Sequence, residues 1–137
     1  MRLKDRIDQI LKNDALDEDD YPEDTCKVEE IEKVNQHYSW KEIEHLLIDM
    51  LLEDRRVKDY QTIAAVIWGA CLDKRDFTNR NKIIALLYKR LPNDEDSIEN
   101  NLAWSIVTKL KNVGYLSDYD PLEDPMVQKE INKLPCM

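Results

Sequence analysis

Glycine occurs only twice in this chain of 137 residues, at Gly69 and Gly114, and that scarcity restricts the available folds more than any motif does. Tight β-hairpins use residues that tolerate positive φ, most often as Asn-Gly or Asp-Gly. Neither dipeptide is present. Loops that cradle phosphates need backbone without a Cβ, so a Walker loop and a dinucleotide fingerprint are excluded as well. A Lys-, Glu-, Leu- and Ile-rich chain with these exclusions predicts an all-α fold: a compact bundle of six or seven helices, with HEAT-like antiparallel hairpins as a variant of the same helices. A chain of this length buries roughly two thirds of the surface its unfolded form exposes, enough for one domain over 1–137 without disulfides or a structural metal.

Apolar spacing places the helices. Leu3, Ile7, Ile10 and Leu11 predict a helix over 2–13, and Val28, Ile31, Val34 and Tyr38 a second that ends near Tyr38. Ser39-Trp40-Lys41-Glu42 reads as a capping box that opens a third, with Ile43, Leu46, Leu47, Met50 and Leu51 inward and Glu42, Glu44, Asp49 and Glu53 wet. Residues 60–72 are apolar nearly all round, as a central buried helix should be, and close packing is the expected reason for Gly69 inside it. Thr78 or Asn79 caps the next helix, which Pro92 ends. Asp96 or Ser97 opens another that Gly114 closes, and Asp124-Pro125 reads as the N-cap and first residue of a last short one. Segments 40–55 with 60–73, and 79–91 with 97–113, are expected to form antiparallel hairpins.

The N-terminus carries mixed charge rather than a signal sequence, and no apolar run is long enough to span a membrane. Three cysteines, Cys26, Cys71 and Cys136, contain no CxxC pair and suit a reducing cytoplasm, with Cys71 packed as a small apolar residue.

Constellations for catalysis are thin. Glu42 and His45 form one Glu-x-x-His, the spacing a di-iron site uses twice, but the only other histidine, His37, has Val34 where the glutamate would stand. A carboxylate metalloenzyme centred on Glu42 and His45 is the enzyme reading to set against binding functions. Zinc would need clustered Cys and His ligands, and a calcium loop a glycine near Asp17-Glu18-Asp19-Asp20. Nucleophilic catalysis would need a Ser or Cys against a base, and no nucleophile elbow is present. The expectation is a protein that is not an enzyme and uses no metal or other cofactor.

Charge is more informative. The chain carries −9 at pH 7, and residues 14–24 alone hold seven acidic residues with no Lys or Arg, leaving 20 basic and 22 acidic residues elsewhere. The acidity is therefore local: an acidic loop at 14–24 and an acidic connection at 117–124. One reading of the loop is a solvated linker that keeps the protein soluble. The sharper reading is a docking surface for a basic partner, with Asp17, Glu18, Asp19, Asp20, Glu23 and Asp24 steering and Tyr21 and Tyr119 as anchors beside Asp118, Asp120 and Glu123. Direct nucleic-acid binding is disfavoured, because it needs a positive surface. Lys74, Arg75, Arg80, Lys82, Lys89 and Arg90 do form a basic stretch, read as the wet face of a packed helix or as an internal partner for the acidic loop.

The segment Asn101-Leu102-Ala103-Trp104-Ser105-Ile106-Val107-Thr108-Lys109-Leu110-Lys111-Asn112-Val113-Gly114-Tyr115, with Asp120-Pro121-Leu122-Glu123-Asp124-Pro125, resembles the immunity proteins of bacterial contact-dependent growth inhibition systems. It covers the C-terminal fifth of the chain and includes no diagnostic motif. The resemblance implies a cytoplasmic protein that binds and neutralises the toxic domain of a cognate toxin, in many cases a nuclease with a basic groove. The alternative is a helical adaptor or phage-type inhibitor of another basic protein.

Overall fold

The reciprocal cap predicted at Ser39 is formed: its hydroxyl accepts from the Glu42 amide at 3.2 Å while the Glu42 carboxylate accepts from the Ser39 amide at 3.2 Å. In this computed structural model, which describes residues 2–13, 26–72, 77–91, 106–111 and 119–134, with the side chains of residues 26, 71 and 72 outside that set, the cap opens α3. The elements are α1 (Leu3–Lys12), α2 (Cys26–Lys33) with a 3-10 turn at Val34–Gln36, α3 (Trp40–Leu52), α4 (Val57–Leu72) and α5 (Arg80–Arg90). A helical stretch at 106–110, α6, a 3-10 turn at Pro121–Glu123 and α7 (Pro125–Lys133) complete them. No strand occurs among the described residues. Asp124 caps α7 by accepting from the Met126 amide at 3.0 Å, with Pro125 in the first turn, as its sequence predicts. The start of the sixth helix at Asp96 or Ser97, its closure at Gly114, the basic Lys74 and Arg75, the side chains of Cys26 and Cys71, and Cys136 lie outside the described residues.

Every helix contributes to one core, with Ile7, Ile31, Met50, Ile63, Ile84, Ile106 and Val127 buried in a continuous cluster. Burying an aliphatic side chain of this size contributes about 1.5–3 kcal/mol, which is what holds helices too short to be stable alone. Tyr60 organises the connection from α3 to α4. Its hydroxyl donates to the Glu53 carbonyl at 2.7 Å and accepts from the Arg55 amide at 2.7 Å.

Two features differ from the sequence reading. Glu44, expected on the wet side of α3, is only 2% exposed. Its carboxylate accepts from the Asn79 amide at 3.1 Å and the Thr78 hydroxyl at 3.1 Å. Asn79 occupies the N-cap of α5 but makes no side-chain cap bond, so α3 supplies the acceptor that the end of α5 lacks. Arg90, expected on a wet face, reciprocates. It donates to the Leu51 carbonyl at 2.9 Å and the Leu52 carbonyl at 3.2 Å, and its guanidinium lies 5.0 Å from the centre of the Tyr60 ring. The two helices thus exchange terminal bonds, N-terminal half to N-terminal end and C-terminus to C-terminus, and run parallel. α3 packs along α5 and α2 along α4, rather than α3 pairing closely with α4 as the sequence predicts.

Gly69 is half-buried, and a Cβ there would meet the Glu32 carboxylate oxygen at 2.7 Å, the end of a flexible side chain. Close packing at Gly69 is therefore against a group that can move.

Candidate functional site

The acidic residues Asp17, Glu18, Asp19, Asp20, Glu23 and Asp24, with Tyr21, lie outside the described residues, but the two ends from which their segment departs are defined. Lys27, in the first turn of α2, is fully buried and donates its ammonium to the Leu11 carbonyl near the end of α1 at 2.9 Å. Arg56, just before α4, donates to the same carbonyl at 3.0 Å. One carbonyl therefore gathers three elements, and the acidic segment joins helix ends that are tied together.

Around this junction the charges are matched. Arg55 contacts Asp8 at 2.6 Å, Glu53 at 2.7 Å and Asp59 at 3.7 Å, Arg56 contacts Asp59 at 3.1 Å, and Lys4 contacts Glu53 at 2.8 Å. Burial pushes the Glu53 carboxyl up, but hydrogen bonds from Lys4 and Arg55 outweigh it and hold its pKa below the ordinary value. Asp8, Glu53 and Asp59 are thus committed to cations of the folded body, while seven acidic residues with no Lys or Arg among them lie in 14–24.

The second acidic stretch divides into structural and exposed members. Asp118 lies outside the described residues. Tyr119 packs against the core, and its hydroxyl donates to Asp124 at 3.0 Å. Burial, followed by the bond to Asp124, raises its pKa. Asp120 caps the 3-10 turn by accepting from the Leu122 amide at 2.9 Å. Asp124 also receives Lys111 at 3.0 Å. Glu123 is exposed, and beside it stand Leu122 at 48% and Met126 at 56% exposure, two large apolar side chains open to solvent. Neither was among the sequence-derived contact residues. No local sequence signal marks them, because an apolar residue in a short turn or helix reads as core until the packing of its element is known.

No protein-family model, curated protein or solved structure matches the chain. The site therefore rests on its own geometry. Glu42 is engaged in the α3 cap, while His45 is 79% exposed on its side chain and faces Asp49 at 3.8 Å. Among the described residues no group of three or more His, Cys, Asp or Glu could hold a metal ion, and no helix is long and apolar enough to cross a membrane.

Proposed function

We propose that this chain is an inhibitor of the immunity class, which binds the toxic domain of a cognate toxin, a nuclease with a basic surface, and neutralises it by protein–protein contact in the cytoplasm. The observation that carries the reading is the tethered acidic segment. Seven carboxylates within residues 14–24 are attached to helix ends held together through the Leu11 carbonyl. Fixing both ends lowers the conformational entropy that docking must still remove. Concentrated negative charge raises association rates with a basic partner by about 10 to 10³-fold. Exposed Leu122 and Met126 beside Glu123 add apolar area of the kind that anchors an interface once steering has delivered the partner. A helical adaptor for a different basic protein would use the same surfaces, and the partner's activity separates the two.

The test is co-purification of the full chain with the product of the gene directly upstream. The reading expects a stable complex in which that protein's nuclease activity is lost and returns when the complex is dissociated. A complex that retains full activity favours the adaptor, and failure of the two proteins to associate contradicts the immunity reading.

A further inference from the structure

The corner that carries Leu122 and Met126 is held by bonds of its own. Asp120 accepts from the Leu122 amide at 2.9 Å, Asp124 accepts from the Met126 amide at 3.0 Å, and the Gln128 side-chain amide donates to the Leu122 carbonyl at 2.5 Å, which ties the 3-10 turn to α7. Asp124 is in turn held by Lys111 and the Tyr119 hydroxyl, both at 3.0 Å. Pro121 and Pro125 restrict φ in the first turn of each element, and Pro121 and Val127 are buried beneath them. The backbone under both exposed side chains is therefore set by the fold, so burying them against a partner costs little further ordering. Of the chain's four methionines, Met50 and Met126 are among the described residues. Met50 is fully buried in the core, whereas Met126 is 56% exposed.

We propose that Met126 is a reversible oxidation site that regulates partner binding: converting its thioether to the sulfoxide makes the Leu122–Met126 contact polar and releases the partner. The proposal rests on the partner-binding reading above, and the occupant of the contact is that basic protein, to which exposed Glu123 between the two side chains is complementary. Hydrogen peroxide is the oxidant. The sulfur lone pair attacks one peroxide oxygen, the O–O bond breaks, that oxygen stays on sulfur and the other leaves as water, so sulfur gives up the two electrons that the peroxide gains. Exposure selects the site, because peroxide in water reaches Met126 and not Met50. The product carries a strong hydrogen-bond acceptor where an apolar pocket of the partner offers it no donor, and that unpaired polar group opposes burial. Reduction by a methionine sulfoxide reductase restores the thioether.

The test treats the full chain with hydrogen peroxide, maps the oxidised residues by peptide mass spectrometry, and measures affinity for the co-purified partner before and after. Met126 should gain one oxygen well before Met50. The oxidised chain should bind about tenfold or more weakly, the scale of no longer burying a side chain of this size, with its thermal melt unchanged. Methionine sulfoxide reductase should restore the affinity. In Met126→Leu, whatever its starting affinity, peroxide should leave binding where it was, which separates Met126 from the three cysteines and the other methionines that both proteins share. Met126→Gln puts a polar group of similar length at the contact and should bind weakly without oxidant. Met50 oxidised as fast as Met126, affinity retained with Met126 fully converted, or an equal loss in Met126→Leu overturns the proposal. A partner that does not bind the untreated chain contradicts the partner-binding reading instead, and the switch falls with it.

Discussion

The Lys27 ammonium lies 2.9 Å from the Leu11 carbonyl, a bond between a fully buried lysine and the last turn of a helix 16 residues earlier. It joins the two ends of the acidic connection, and Arg56 shares the same acceptor at 3.0 Å. Replacing Lys27 with Met keeps the apolar stem and removes the donor. Hydrogen bonds from charged donors contribute about 1.5–3 kcal/mol, and with Arg56 still in place the loss should fall at the lower end of that range. Urea denaturation of Lys27→Met should show it as a lower midpoint. An unchanged midpoint would mean that the bond does not hold α1 to α2.

Glu44 supplies the acceptor missing from the start of α5. Glu44→Ala should cost about 1–2 kcal/mol, because it removes the shared acceptor of the Asn79 amide and the Thr78 hydroxyl, two donors on exposed residues that water can satisfy only in part. Glu44→Gln keeps one acceptor oxygen and should lie between wild type and Ala in chemical denaturation. Equal stability of the Gln and Ala variants would contradict a capping role.

Acid should act through Asp124 and Glu53. Burial pushes the Asp124 carboxyl up, but bonds from Lys111, Tyr119 and the Met126 amide outweigh it and hold its pKa below the ordinary 3.8. The folded value lies below the unfolded one, so its contribution is present above 3.8 and is lost as pH falls through the folded value. Glu53 follows the same sign from its ordinary 4.5. Asp124→Asn should lower stability by about 1–2 kcal/mol near neutral pH. Thermal melts should show this difference from wild type shrinking below pH 3.8, and a gap that stays constant into acid would contradict the assignment.

Gly69→Ala tests the α2–α4 approach. Alanine is favoured over glycine inside a helix by about 0.8–1 kcal/mol, and the group a Cβ would meet, the Glu32 carboxylate, can swing aside. The variant should be neutral to modestly stabilised in thermal denaturation. Destabilisation beyond about 1 kcal/mol would show that Glu32 is held in place.

Elements whose signals are local were legible in the sequence. The Ser39 box, the Asp124-Pro125 start and the apolar spacing of α1 and α3 each lie within a turn or two of the residues they organise. Glu44 and Arg90 were misplaced because their partners lie 34 to 39 residues away, and periodicity assigns a charged residue to water unless a distant backbone group needs it. Lys27 carried a local signal: with Ile31 and Val34 it follows the i, i+4, i+7 face, which points its stem into the core. For the binding surface, composition located the charge at 14–24, but the tie between Leu11 and Lys27 emerges only from the packing of α1 on α2.

The proposed role depends on the acidic segment steering a basic partner. The direct measurement is the stopped-flow association rate between the full chain and the co-purified toxin domain over a range of salt concentrations. Wild type is compared with a variant in which the seven acidic residues of 14–24 are changed to their amides. The account predicts a slower association, by about 10 to 10³-fold at low salt, with a flatter salt dependence in the variant. The same rate and the same salt slope in both proteins would contradict it.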